Sequence, residues 1–214
     1  FNMLASYNLQ STFSGQPFYN AEITPWIIGG ILALVTGWCL LGGGNRIVKV
    51  TSTLVPFMGI AYILVSLFIV VLNIGQLPSV MAQIFKEAFD FKAIFAGFVG
   101  SAMMQGIRRG LYSNEAGIGS APNAAASAVV SHPVKQGLVQ MLSVFIDTLL
   151  LCTATAMMCL VSGVIPAKEL QGAPWVQAAL HKTLGSFGPY FIMIAMVLFA
   201  FTTLLGNCFY CDNL

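Results

Sequence analysis

Long apolar stretches alternate with short polar ones along the chain, and this pattern predicts a series of membrane-spanning helices. A bilayer core needs roughly 20 apolar residues in each helix that crosses it. Five stretches qualify, and a sixth at the start resembles the outer end of a helix. The predicted spans are 1–13, 23–41, 51–74, 93–107, 136–161 and 189–210. The sequence therefore predicts an all-α integral membrane protein, with residues 1–214 forming part of one polytopic transmembrane domain.

Three polar segments separate these spans and differ in character. Residues 42–50 contain three glycines and then two basic residues, and we expect a loop there. Residues 76–92 have an amphipathic pattern, which predicts a short helix at the membrane interface. Residues 166–186 are predicted to form a loop that contains a short helix. The distribution of basic loop residues favours a cytoplasmic position for Arg46, Lys49, Arg108, Arg109 and Lys135.

Composition supports the membrane assignment. Hydrophobic residues make up 57% of the chain, charged residues 7%, and the mean hydropathy is +0.85. A soluble domain has about a quarter of its residues charged. The net charge of +2 gives no sign of nucleic-acid binding. We expect the chain to be an internal part of a longer multi-pass protein of a bacterial-type plasma membrane, with its five cysteines serving as packing residues.

Asp147 lies well inside the apolar span 136–161. An ionised side chain at that depth is costly unless it meets a partner, a cation or water. Asp147 is therefore a candidate cation ligand or substrate-amine ligand, with Thr148 as a further oxygen donor. The alternatives are a buried ion pair for Asp147 and a bond from Thr148 back to its own helix.

The span 93–107 is unusually short and rich in small residues. Short, glycine-interrupted spans are typical of the discontinuous helices that bind substrate in transporters. The candidate substrate-binding positions here are Gly97, Gly100, Ser101 and Gln105. Close helix packing through small residues explains the same pattern equally well.

Two further groups of polar residues lie in or next to apolar helices. Thr202 and Thr203 are adjacent hydroxyls that suit a hard cation such as sodium, although packing is the commoner role of threonine within a helix. Gln10 and Asn207 are candidates for substrate contact near the ends of their spans.

The most polar stretch of the chain is 108–126, which lies between two apolar spans. Its candidate functional residues are Arg109, Ser113, Asn114 and Glu115. The segment is interpreted either as an ordinary cytoplasmic loop or as a gate that closes one end of a solute pathway. The sequence has no nucleophile elbow, phosphate-binding loop or zinc-protease motif, so we expect no enzyme activity.

The string RGLYSNEAGIGSAPNAAASA closely resembles the hallmark segment of the sodium/alanine (alanine or glycine:cation) symporter family. The stretches RIVKVTSTLVPFM, LNIGQLPSVMAQIFKEAF, SHPVKQGLVQMLSVFIDT and LFAFTTLLGN also resemble that family. The resemblance implies a LeuT-type inverted-repeat fold. The chain would run from the end of core helix three to core helix eight, and 93–107 would be the broken sixth helix.

The resemblance also implies roles for individual residues. Asp147 would lie near one sodium, and Thr202 and Thr203 would bind another. Gln10 resembles a family glutamine near the substrate, and the segment with Glu115 would form a cytoplasmic gate. The implied activity is sodium-coupled uptake of alanine or glycine by alternating access. No cofactor is implied beyond sodium as the coupling ion. Alternatives are a proton-coupled carrier of another small amino acid, a non-transporting membrane subunit and, with less support, a channel-like pore.

Overall fold

The computed structural model describes residues 2–16, 18–88, 106–107, 110, 119–126, 128–165 and 172–212. The regular elements within these ranges are all helical. We number the helices α1 (Asn2–Phe13), α2 (Thr24–Leu40), α3 (Gly43–Leu72), α4 (Leu77–Ala88), α5 (Ser120–Ala126), α6 (Pro133–Val161), α7 (Ala173–Leu184) and α8 (Phe187–Asp212). A single 3₁₀ turn, Ile74–Gln76, joins α3 to α4.

Three helices are long and apolar enough to cross a bilayer, namely α3, α6 and α8. Helix α2 is also apolar but has only 17 residues, which is the lower limit for a span. The structure agrees with the sequence-based spans at α2 and α8 to within a few residues. The predicted span 93–107 lies outside the described residues except for its last two positions.

The prediction of a loop at 42–50 is wrong, because α3 begins at Gly43 and continues without a break. Arg46, in the first turn of α3, folds back onto α2. Its guanidinium carbon lies 3.8 Å from the centre of the Trp38 ring, and its Nη1 donates a hydrogen bond to the Trp38 carbonyl at 3.3 Å. These contacts satisfy the charge locally, so the basic residue does not require a loop.

Local sequence determines where several helices begin and end. Pro133 follows His132, whose Nδ1 accepts a hydrogen bond from the Val134 backbone N–H at 3.2 Å and thus caps the first turn of α6. Helix α7 lies between Gly172 and Gly185, both with positive φ. Left-handed backbone geometry favours glycine, so these two residues can turn the chain sharply at each end of α7.

Helix α8 is the central element of the described structure and contacts α1, α2, α3 and α7. Toward the C-terminal end of α8, Leu205 packs with Cys39 and Ile47. Earlier in the same helix, Ala200 packs with Leu9. A third cluster joins α3, α6, α7 and the first turns of α8 through Tyr62, Ile69, Met158, Val161, Leu180 and Ile192. Tyr62 and Ile192 of the third cluster also line an internal cavity.

Candidate functional site

A cavity of about 360 Å³ lies where α1, α3, α6, α7 and α8 approach one another. Its lining is mostly apolar, with a few polar side chains. These lining residues are Asn8, Tyr62, Asp147, Leu151, Cys152, Thr155, Ala173, Val176, Ile192, Ala195, Met196 and Phe199. Mostly apolar walls with a few placed polar groups are typical of small-molecule sites.

Asp147 is the one acidic side chain in this lining. It begins a π-helical segment, Asp147–Cys152, in the middle of α6. Asp147 and Leu151 are four residues apart and would share a face of an ordinary α-helix, but Thr155, eight residues after Asp147, would lie about 80° away from it. A π turn takes more residues than the 3.6 of an α-helix, and all three residues line the cavity. Short π segments inside α-helices often occur at functional sites. The structure thus places the sequence-predicted carboxylate at an irregular, cavity-facing point of a membrane-length helix.

Tyr62 on α3 and Thr155 on α6 form a second polar group in the lining, and sequence analysis did not identify them. Their hydroxyl oxygens are 2.8 Å apart, although the two residues are separated by 93 positions in sequence. The Tyr62 ring stacks on Phe191, with centroids 6.4 Å apart, and meets Phe199 edge-on at 5.7 Å. No local pattern signals this pairing, because it depends on how α3 packs against α6 and α8.

On α1 the cavity-facing amide is Asn8, whereas the sequence pointed to Gln10. Two residues along a helix correspond to a rotation of about 200°, which puts these side chains on nearly opposite faces. Gln10 instead donates a hydrogen bond from Nε2 to the Tyr19 hydroxyl at 2.9 Å. Helical periodicity from Thr12, a buried residue four positions later on α1, could have indicated Asn8.

The remaining predicted cation ligands lie near the cavity but do not line it. The Thr202 hydroxyl is buried and donates to the carbonyls of Leu198 and Phe199, at 3.0 and 3.1 Å. Thr202 and Thr203 lie three and four residues after Phe199, so they continue the cavity-facing side of α8 by one turn. Thr148 is exposed on the outer surface of α6.

Asn207 lies farther along α8, two turns beyond Phe199, the last residue of α8 that lines the cavity. Its Nδ2 donates to Oδ1 of Asn2 at 2.7 Å, which ties the end of α8 to the start of α1. Asn207 also lines a second cavity of about 450 Å³ together with Cys208 and Cys211. The described residues contain no group of three or more histidine, cysteine or acidic side chains arranged to hold a metal ion.

The other predicted positions lie outside the described residues. These are Gly97, Gly100, Ser101 and Gln105 of the short span, and Arg109, Ser113, Asn114 and Glu115 of the polar segment. The predicted site residues that the structure describes are therefore those on α1, α6 and α8.

Membrane-length helices around an internal cavity with one carboxylate define an integral membrane protein with a polar site between its helices. The chain belongs to the sodium:alanine symporter family, whose family model matches residues 1–214. Members of this family are transporters rather than enzymes, which confirms the expectation drawn from the absence of catalytic motifs.

Three relatives illustrate the range of names within the family. The "probable sodium/glutamine symporter GlnT" of Bacillus subtilis is 45% identical over 204 residues, covering 95% of this chain and 43% of that protein. The sodium/proton-dependent alanine carrier protein of Bacillus sp. strain PS3 is 42% identical over 211 residues, covering 92% and 47%. The sodium/alanine symporter AgcS of Methanococcus maripaludis is 41% identical over 194 residues, covering 89% and 43%. The chain thus spans less than half the length of these relatives.

Proposed function

We propose that this chain is part of a sodium-coupled symporter that imports alanine or glycine by alternating access, built on a LeuT-type inverted-repeat fold. The observation that carries the proposal is the position of Asp147. A carboxylate on a π segment, facing a cavity within a membrane-length helix, suits a coupling cation better than it suits lipid or a packed helix interface. Family membership supplies the reaction class.

The chemistry of the cavity supports a small zwitterion together with a cation. Hard cations prefer oxygen ligands, and the polar part of the lining offers the Asp147 carboxylate and the Asn8 amide oxygen. The apolar part, which includes Ala195 on α8, is suited to a small aliphatic side chain. We propose Asp147 as the first cation ligand.

The remaining roles extend this proposal beyond the cavity lining. Thr148, Thr202 and Thr203 would complete cation coordination after a modest movement of α6 or α8. Substrate recognition would involve Gln10, Asn207 and the span that contains Gly97, Gly100, Ser101 and Gln105. The segment with Arg109, Ser113, Asn114 and Glu115 would close the cytoplasmic end of the pathway.

Two of the relatives suggest specific alternatives. One is named as sodium/proton-dependent, and a carboxylate such as Asp147 can carry a proton as well as bind sodium. Another is named as a glutamine symporter, which requires a larger substrate pocket than alanine does. Both alternatives keep the same reaction class and change only the ion or the amino acid.

The test is uptake of labelled alanine by the full-length parent protein in proteoliposomes, with an imposed sodium gradient, a proton gradient or neither. Accumulation that requires sodium, and that excess glycine inhibits, supports the proposal. Accumulation driven by protons alone changes the coupling ion, and accumulation only of labelled glutamine changes the substrate. If no gradient drives uptake of any of these amino acids, the symporter proposal is wrong.

Asp147→Asn tests the proposed ligand itself. The substitution keeps the shape of the side chain and removes its negative charge. A charged interaction is worth roughly 1.5–3 kcal/mol, so we expect the sodium concentration for half-maximal uptake to rise about tenfold or more, or coupling to be lost. The matched control is Glu22→Gln, which neutralises an exposed carboxylate outside the cavity and should leave the sodium dependence unchanged. A wild-type sodium curve in Asp147→Asn would remove Asp147 from the proposal.

A further inference from the structure

The π segment of α6 is supported by hydroxyl groups along its length. The Thr155 hydroxyl donates to the Leu151 carbonyl at 2.9 Å, and the Thr153 hydroxyl reaches the Thr148 carbonyl at 3.4 Å. From the neighbouring helix α3, the Ser66 hydroxyl donates to the Ala154 carbonyl at 2.8 Å. Three carbonyls within or next to Asp147–Cys152 thus accept hydrogen bonds from side chains in addition to the helical backbone.

The hydrogen bond between Tyr62 and Thr155 has a definite direction. A threonine hydroxyl has one hydrogen, and that of Thr155 is used on the Leu151 carbonyl. The Tyr62 hydroxyl must therefore donate to the Thr155 oxygen in their 2.8 Å contact. The result is a continuous chain of donors from Tyr62 through Thr155 to a backbone carbonyl inside the π segment.

Tyr62 is itself held in place from α8. Its ring packs against Phe191 and Phe199, and Phe191 in turn stacks on Phe187 at 6.3 Å. The Tyr62 ring is thus anchored on α8 as well as on its own helix α3, in addition to its contacts with α6. Through its hydrogen bond to Thr155, Tyr62 connects these contacts to the part of α6 that follows Asp147.

We propose that Tyr62 is a positioning residue for Asp147. It acts through Thr155 and the Leu151 carbonyl to keep α6 in π geometry, which directs Asp147 toward the cavity. If the segment relaxed to a regular α-helix, the extra residue that the π turn accommodates would join the α-helical repeat. The side chains before the segment would then rotate by up to about 100° relative to those after it. Asp147 would then lie about 80° around the helix axis from Thr155 and would no longer be in line with it on the cavity face. The consequence for sodium rests on the proposed function, whereas the positioning itself does not.

The first measurement reports on the π segment without any transport. Cys152 is the last residue of that segment and lines the cavity. We would prepare full-length protein with Cys152 as its single cysteine and measure the rate at which a small thiosulfonate reagent modifies it. Tyr62→Phe keeps the aromatic packing and removes only the hydroxyl. We expect the modification rate to change by about threefold or more, because one hydrogen bond of ordinary strength is lost.

Matched variants separate positioning from general damage. Thr155→Val should reproduce the effect of Tyr62→Phe, whereas Thr155→Ser, which keeps the hydroxyl, should restore the wild-type rate. Tyr190→Phe changes an exposed tyrosine of α8, and Thr183→Val changes a threonine that donates to carbonyls of its own helix α7. Neither should alter the Cys152 rate. A second full-length variant has the exposed Cys211 as its single cysteine. Its rate of reaction with the thiosulfonate reagent should be the same with and without Tyr62→Phe.

The second measurement is the sodium dependence of alanine uptake by Tyr62→Phe. We expect about a three- to tenfold rise in the half-maximal sodium concentration, with the maximal rate at saturating sodium kept within about twofold. A purely structural role would instead lower the maximal rate in proportion to the amount of folded protein.

The two proposals fail in different ways. A Cys152 rate that is unchanged in both Tyr62→Phe and Thr155→Val overturns the positioning role. If those variants change the Cys152 rate while Asp147→Asn has a wild-type sodium curve, the positioning role stands and the cation role of Asp147 is wrong.

Discussion

The two halves of α6 differ sharply in how the described structure holds them. The half after the π segment, Thr153–Val161, contains three buried residues and packs against α3, α4 and α7. The half before it, Pro133–Ile146, contains none, and among the described residues its main packing is with α5 and the π segment itself. Asp147 lies at the boundary between the two.

The exposed face of the first half is strongly apolar. Leu138, Met141, Leu142 and Phe145 are each more than half exposed in the described structure. Such a surface is suited to lipid or to other helices of a longer protein. The second half of α6 is therefore packed against described helices, whereas the first half presents an apolar surface that could pack against further helices.

The difference in packing between the two halves of α6 is tested most directly by a pair of methionine substitutions. Met158→Ala removes a side chain that is 1% exposed in the second half, and Met141→Ala removes one that is 66% exposed in the first. We expect Met158→Ala to destabilise the purified full-length protein by about 2–5 kcal/mol and Met141→Ala by less than about 0.5 kcal/mol. Thermal unfolding in detergent, with the fraction of protein that stays monodisperse as the readout, shows which substitution is the more destabilising. Equal losses would mean that the first half is packed in the whole protein.

A smaller effect is expected from a pair of serines. Ser66→Ala deletes the hydroxyl that joins α3 to the Ala154 carbonyl of the second half. Ser143→Ala deletes one that bonds only to the Gln140 carbonyl of its own helix, in the first half. Loss of an interhelical hydrogen bond should cost about 1 kcal/mol, and loss of the local one close to zero. The same unfolding assay measures both, and a larger effect from Ser143→Ala would contradict the assignment of α3 as the anchor.

The smallest expected effect concerns α8. Thr202→Val combined with Thr203→Val removes two hydroxyls that lie one turn beyond Phe199, toward the end of the cavity where Asp147 lies. If they contribute to a cation site, the half-maximal sodium concentration for uptake should rise about threefold. The control is Thr53→Val, whose hydroxyl bonds to the Lys49 carbonyl on the exposed side of α3. An unchanged sodium curve would remove the pair as ligands and restrict the cation site to α6.

The sequence predicted the helices and Asp147 because both depend on local composition. Apolar length alone identified α2 and α8, and the cost of an ionised group in an apolar helix identified Asp147. The loop predicted at 42–50 was wrong because Arg46 is stabilised by Trp38, a contact between two helices that depends on the tight turn between them rather than on composition. The π segment was missed because it is a change in backbone geometry within a sequence of ordinary helix-forming residues.

The cavity itself was predictable only in part. Asn8 could have been found from the periodicity of α1, since it lies one turn before Thr12, a buried position of that helix. Tyr62 and Thr155 could not, because each is a common residue in an apolar helix and their importance comes from a contact across 93 positions. Sequence analysis thus identified the charged group, and packing shows which neutral groups surround it.

The short connection between α2 and α3 has a consequence for how the protein is made. Only Leu41 and Gly42 separate the two helices. Arg46 also returns to Trp38 across this turn. Two residues are too few for one helix to integrate while the other remains outside, and α2 alone is at the lower limit of length for stable insertion. We therefore expect the two helices to enter the bilayer together as a hairpin during synthesis. A substitution that opens the turn would act on biogenesis, before any sodium or amino acid is bound.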